Sequence, residues 1–94
     1  MKIIFKHSPI CPISSRAKRE VEQYLESGDL PVDIEWIDVI ADRPRSNEVA
    51  DQLGIRHESP QVILLNEDGK VISHASHGQI TRNKLTEMIH SSRP

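Results

Sequence analysis

The run Ile3-Ile4-Phe5-Lys6-His7-Ser8-Pro9-Ile10-Cys11-Pro12-Ile13-Ser14 decides the fold. Lys2–Lys6 is short and nearly all apolar, the pattern of a buried strand. Pro12 suits the first position of a helix, where its fixed φ and missing N–H cost nothing. From there Ile13, Ala17, Val21, Tyr24 and Leu25 recur at helical spacing, while Lys18, Arg19, Glu22, Gln23 and Glu26 fill the other, solubilising face. Gly28 is the expected helix stop. Cys11, the only cysteine of the chain, therefore falls at a strand–helix junction. Unpaired N–H groups and the positive end of the helix dipole there favour a thiolate over a thiol. Without a second cysteine, redox chemistry must pass through a mixed disulfide with another molecule.

The remaining elements follow from this first pair. Val32–Val39, preceded by Pro31, alternates in a β-rich stretch and predicts a second strand. A helix of crossover length joins it to the first, so the two strands are expected to be parallel. Asp42-Arg43-Pro44-Arg45-Ser46-Asn47 reads as a turn into a second helix with Val49, Ala50 and Leu53 on its inner stripe and Gly54 as its stop. Ile55–Pro60 is a polar loop, and Gln61–Asn66 a buried strand. Asn66-Glu67-Asp68-Gly69 is a hairpin signal, so Lys70–Ser76 is expected to return antiparallel. Thr81 is a good N-cap for the last helix, with Ile80 and Leu85 spaced as a hydrophobic staple. Leu85, Met88 and Ile89 supply its buried face, and Ser91-Ser92-Arg93-Pro94 is expected to fray. The order is β-α-β-α-β-β-α, with helices on both faces of a mixed four-stranded sheet.

Ninety-four residues suit one domain, 1–94, with one core. A net charge of −2 argues against nucleic-acid binding. No apolar run approaches the roughly 18 residues of a membrane span. No signal-peptide pattern opens the chain, because Lys6 and His7 interrupt its first apolar stretch, and a lone cysteine argues against a secreted disulfide scaffold. A reducing cytoplasm is the expected compartment.

Phe5-Lys6-His7-Ser8, Cys11-Pro12-Ile13-Ser14, Arg43-Pro44 with Ser46-Asn47, His57-Glu58-Ser59-Pro60-Gln61 and His74-Ala75-Ser76-His77 occur in this order almost from end to end. Together they resemble the monothiol bacilliredoxin (YtxJ-like) family of the thioredoxin fold. The resemblance implies a cytoplasmic thiol–disulfide oxidoreductase that strips bacillithiol, or another low-molecular-weight thiol such as glutathione, from S-thiolated client proteins. The small thiol acts as co-substrate, no cofactor is bound, and a second small thiol, another redoxin or a thiol reductase regenerates the enzyme. Gly78 departs from the family, where a bulky aromatic is expected.

Under this reading Cys11 is the nucleophile, although free cysteines are also commonly buried packing residues. Pro12 orients the turn. Ser14 stands where dithiol relatives carry a resolving cysteine; its hydroxyl could bond the thiolate, or cap its own helix. The resemblance makes Pro60 a cis-proline, which would lay the backbone of Ser59 beside Cys11 for strand-like pairing with a bound disulfide. Gln61 is a further candidate contact or an ordinary strand start. His7 could assist ionisation as a cation, and His57 lies in the loop expected to face Cys11. His74 and His77 could meet the malate carboxylates of bacillithiol. Each of these histidines could equally be an ordinary hydrogen-bonded residue, and His90 is expected in solvent. Arg43 and Arg45 could attract an anionic thiol or simply form a solvated turn. A zinc site of Cys11, His57 and His77 lacks the usual four ligands at tight spacing. The alternative to an enzyme is a non-catalytic thioredoxin-like module that docks a protein or senses oxidants through the Cys11 surface.

Overall fold

Strand β1 (Lys2–His7) is the organising element of the computed structural model, which describes residues 1–27 and 32–91. Its side chains alternate between the two faces of the sheet. Ile3 and Phe5 enter one core with Ala17, Val21 and Tyr24 of helix α1 (Pro12–Ser27) and Leu85, Met88 and Ile89 of helix α3 (Arg82–Ser91). Ile4 enters a second core with Ile37, Val49, Ile63 and Leu65. Here β2 is Asp33–Asp38, α2 is Arg43–Leu53, β3 is Gln61–Leu65 and β4 is Val71–Ser76. Every residue of β3 is buried, as a strand covered on both faces must be. Each large apolar side chain taken fully out of water contributes about 1.5–3 kcal/mol.

The sheet order is β2-β1-β3-β4, with β1 parallel to β2 and antiparallel to β3, and β3 antiparallel to β4. This is the mixed four-stranded sheet with helices on both faces that the element order implied. At the edge strand β2 only Ile37 is fully interior, at 1% exposure. Trp36 stays 40% exposed and rests edge-on against Phe5, ring centroids 5.4 Å apart.

The local signals act as expected. Gly54 ends α2 at φ 64, and its successor Ile55 donates to the Ala50 carbonyl. Asn66 closes the β3–β4 hairpin by accepting the Asp68 and Lys70 N–H groups through Oδ1, with Gly69 at φ 79. Thr81 Oγ1 accepts the Lys84 N–H at 3.0 Å and so caps α3. Ile80 and Leu85 are both buried beside it. Glu20 of α1 does more than solubilise: its Oε1 accepts the Arg82 N–H at 3.0 Å and joins α1 to the start of α3. A short 3-10 turn, His77–Gln79, was not foreseen; the Ser76 N–H donates to Gln79 Oε1 across it. The expected stop at Gly28, Pro31 ahead of β2, and residues 92–94 of the tail lie outside the described residues.

Candidate active site

Cys11 is half-buried at the junction of β1 and α1. Its N–H donates to the Ser8 carbonyl at 3.3 Å, and its own carbonyl accepts the Ser15 N–H at 3.1 Å. Since the helical ladder starts with that second bond, the N–H groups of Ile13 and Ser14 lack a backbone partner among the described residues, and Pro12 has no N–H to offer. Free donors and the helix dipole therefore converge on the residue carrying the sulfur. Ile10 and Ile13 beside it are large apolar residues left 81% and 51% exposed.

Ser14 is 1% exposed, and its Oγ accepts the Ser8 N–H at 3.0 Å. The hydroxyl thus braces the loop that carries Cys11; it is not bonded to the sulfur. Gln61 is likewise turned inward at 1% exposure. Its Nε2 donates to the Arg56 carbonyl at 3.1 Å, which makes its side chain a brace for the 56–60 loop.

That loop joins α2 to β3. The Ser59–Pro60 peptide is cis, and the Pro60 carbonyl accepts the His77 N–H at 2.9 Å. Ser59 Oγ is buried without a hydrogen-bond partner among the described residues. His77 holds φ 53, in the left-handed region that costs a non-glycine residue about 1–2 kcal/mol. Its ring is half-exposed, with Nε2 3.9 Å from Glu58. The Ser76 hydroxyl, followed by nearby His77 and Arg56, holds the Glu58 carboxyl below its usual range. Between the first turns of α1 and the turn after β4 runs an open groove of about 340 Å³ lined by Pro12, Ile13, Arg16, Ala17, His77, Gly78 and Ile80. Gly78 faces empty space: a Cβ built there has nothing within 4 Å.

Burial disfavours the cationic role considered for His7. Its ring stacks on Phe5 at 5.5 Å, and burial pushes its pKa down, with Asp38 opposing and Lys18 reinforcing the shift. The imidazole is therefore neutral at pH 7. Arg45 is likewise unavailable to an anionic ligand, because Nε and Nη2 clamp Glu35 at 2.7 and 2.9 Å and Nη1 meets Glu48. Arg43 at the start of α2 is exposed, and it forms no ion pair among the described residues. His74 lies exposed on β4. Cys11, His57 and His77 do not gather into a metal-binding cluster among the described residues.

One feature of the site escaped sequence reasoning. Lys6, in the middle of the central strand, is 0% exposed. It shares the face of Ile4, and its Nζ lies 3.2 Å from Nδ1 of His57. The same Nδ1 lies 3.2 Å from Oγ of Ser46, a residue 1% exposed on α2. Burial pushes the Lys6 pKa down. Burial, then the charges of Lys6 and Arg43, push that of His57 down. The available signal was parity: in an alternating strand, position 6 faces the same core as Ile4.

Residues 1–85 match the family described as monothiol bacilliredoxin BrxC. The chain belongs to the monothiol bacilliredoxin family. Among solved structures, one described as having a thioredoxin fold is 28% identical, with a TM-score of 0.85 over 94% of this chain and 76% of that one. Thioredoxin 1 from Thermosipho africanus is 21% identical, with a TM-score of 0.73 over 98% of this chain and 93% of that one. Desulfothioredoxin from Desulfovibrio vulgaris Hildenborough is 24% identical, with a TM-score of 0.71 over 96% and 79%. This bacilliredoxin thus has the thioredoxin fold, and family and fold together make it a thiol oxidoreductase. With one cysteine in its sequence it is a monothiol member. No helix among the described residues is long and apolar enough to cross a membrane.

Proposed function

We propose that this chain removes bacillithiol from S-thiolated cytoplasmic proteins through a mixed disulfide on Cys11. The observation that carries the reading is the pairing of one accessible cysteine at a helix start with a serine, Ser14, one turn later. The Cys11 thiolate attacks the bacillithiol sulfur, the client sulfur leaves with the electron pair of the broken bond, and Cys11 keeps the small thiol. A second small thiol or another redoxin then attacks the adduct and frees Cys11. Ser14 holds the loop but cannot resolve the adduct.

The backbone around Ser59 and Pro60 offers the bound disulfide a strand-like partner. His77 and Arg43 are the cationic candidates for bacillithiol carboxylates; His77 borders the groove, whereas Arg43 reaches the site only through its charge on His57.

The test is to incubate a bacillithiolated client with the protein, with Cys11→Ala, and with excess bacillithiol. Catalytic release by the wild-type chain and none by the variant is expected; equal release from both refutes the reading. A single stoichiometric modification without turnover would assign the chain to the docking or sensing class instead. Parallel assays with glutathionylated client identify the preferred thiol.

A further inference from the structure

Resting on that reading, we infer that Lys6 and His57 form a proton relay that delivers a proton to the departing client sulfur, with His57 touching the sulfur and Lys6 acting through it. Three observations carry the inference. A lysine that never reaches solvent has His57 Nδ1 as its side-chain partner, at 3.2 Å. His57 itself is exposed, so the ring spans from that buried ammonium to the surface, and Nε2 has no protein partner among the described residues. The ring also sits at the functional end of the sheet: Lys6 pairs in register with Gln61, the residue after Pro60, and the chain leaves β1 one residue later toward Cys11.

The proton inventory of the pair explains what the arrangement does. Imidazole Nδ1 carries either a lone pair or a proton. When Lys6 is an ammonium it donates to Nδ1, and Nε2 then bears the proton at the surface. When Nε2 gives its proton away, Nδ1 takes one from Lys6, which becomes a neutral amine until solvent protonates the pair again. Ser46 Oγ, 3.2 Å from Nδ1, fixes the ring orientation in both states. A donor speeds thiol–disulfide exchange most when the leaving thiol has a high pKa, because such a sulfur departs more slowly as a bare thiolate. As Cys11 forms its new S–S bond, the pair of the old bond passes to the client sulfur, which takes the Nε2 proton. One proton is consumed and no electron is left over.

The groups facing the relay suit this task. Lys6 pairs in register with Ile37 of β2 and Gln61 of β3, both uncharged, and the carboxylate on the same face, Glu35 opposite Ile4, is held by Arg45 and Lys2. His57 faces Lys6 and Arg43, and burial, followed by these two charges, favours its neutral ring. Positive charge from the same groups leaves any imidazolium formed strongly acidic.

The experiment compares two leaving groups. Cys11 is presented with a mixed disulfide whose leaving sulfur is an alkyl thiol, and with one whose leaving sulfur is an aromatic thiol that departs as an anion unaided. His57→Gln is expected to slow the alkyl reaction about a hundredfold between pH 6 and 7, the low end of general acid catalysis, and to leave the aromatic reaction within twofold. Lys6→Met keeps the volume and removes the charge that lowers the His57 pKa, so the pH–rate profile of the alkyl reaction should move to higher pH. A lysine serving packing alone would change the rate without moving the profile. Thermal unfolding of both variants identifies any loss of fold, and an NMR titration of the His57 ring gives the proton position independently of turnover. Equal slowing of both reactions by His57→Gln, or slowing of neither, overturns the relay. Failure of the wild-type aromatic reaction would sink the Cys11 reading itself and not this inference.

Discussion

The backbone N–H of His77 donates to the carbonyl of Pro60 at 2.9 Å, fastening the end of β4 to the loop that opens β3. This bond holds His77 at φ 53, where a side chain crowds its own backbone. His77→Val should lower stability by about 1–2 kcal/mol, because a β-branched residue tolerates this region least. In a domain of this size that is a fall of roughly 4–16 °C in Tm. His77→Gly should leave Tm nearly unchanged, since relief of strain offsets the added freedom of the unfolded chain. Calorimetric scans of the two variants make the comparison; equal losses would show that the backbone angle is not the cause.

Acid should loosen the attachment of α2 to the sheet edge. Glu35 of β2 receives Arg45 in two contacts and Lys2 Nζ at 2.9 Å. Chiefly through the Arg45 bonds, its carboxyl is pulled from 4.5 to about 2. A depressed carboxyl contributes stability that is full above its unfolded value and fades as pH falls through the folded one. The contribution should therefore be intact above pH 5 and disappear progressively between about pH 5 and 2. Glu35→Gln should cost about 1 kcal/mol at pH 7 and much less at pH 3, measured as urea midpoints. A constant penalty across that range would mean the charge is irrelevant.

Replacing Ser14 by cysteine should convert the chemistry from one thiol to two. The side chain is buried one turn after Cys11, and a thiol is close enough in size to fit there. After one round without added thiol, the wild-type chain should hold its adduct. Ser14→Cys should expel it and close a disulfide to Cys11. Intact-mass analysis distinguishes the two states. Loss of the Ser8 N–H acceptor should cost the variant about 1 kcal/mol.

Gly78→Trp should fill the groove without backbone strain, because nothing stands within 4 Å of the new Cβ. An indole there covers the wall shared with His77 and Ile80. A protein client, which needs the groove, should lose about fivefold in kcat/KM, equivalent to about 1 kcal/mol. A small-molecule disulfide that reaches Cys11 alone should react at the wild-type rate. If both substrates respond alike, the groove plays no part in selection.

Element order, the Thr81 cap, the Asn66–Gly69 turn and the Gly54 stop were legible because each is written within a few consecutive residues. Cys11 was legible for the same reason, with Pro12 beside it marking the helix start. Lys6, Ser46 and His57 were not. Lys6 and His57 lie 51 positions apart, and Ser46 and His57 lie 11 apart, so no local period links them. A serine after Arg-Pro-Arg looks like turn chemistry until tertiary packing buries it inside a helix. Arg45 and Gln61 have partners that were hidden for the same reason. Their type suggests ligand contact, but their partners, Glu35 and the Arg56 carbonyl, are supplied by the folded chain.

The hydroxyl of Ser14, committed to the Ser8 amide, leaves the occupied form of this protein without an exit of its own. Under the proposed reaction, occupancy then rises whenever the surrounding supply of free thiol runs short and falls when it is replenished. The fraction of chains found loaded in a cell would thereby serve as a gauge of that supply, a property that any partner sensitive to the loaded surface could read.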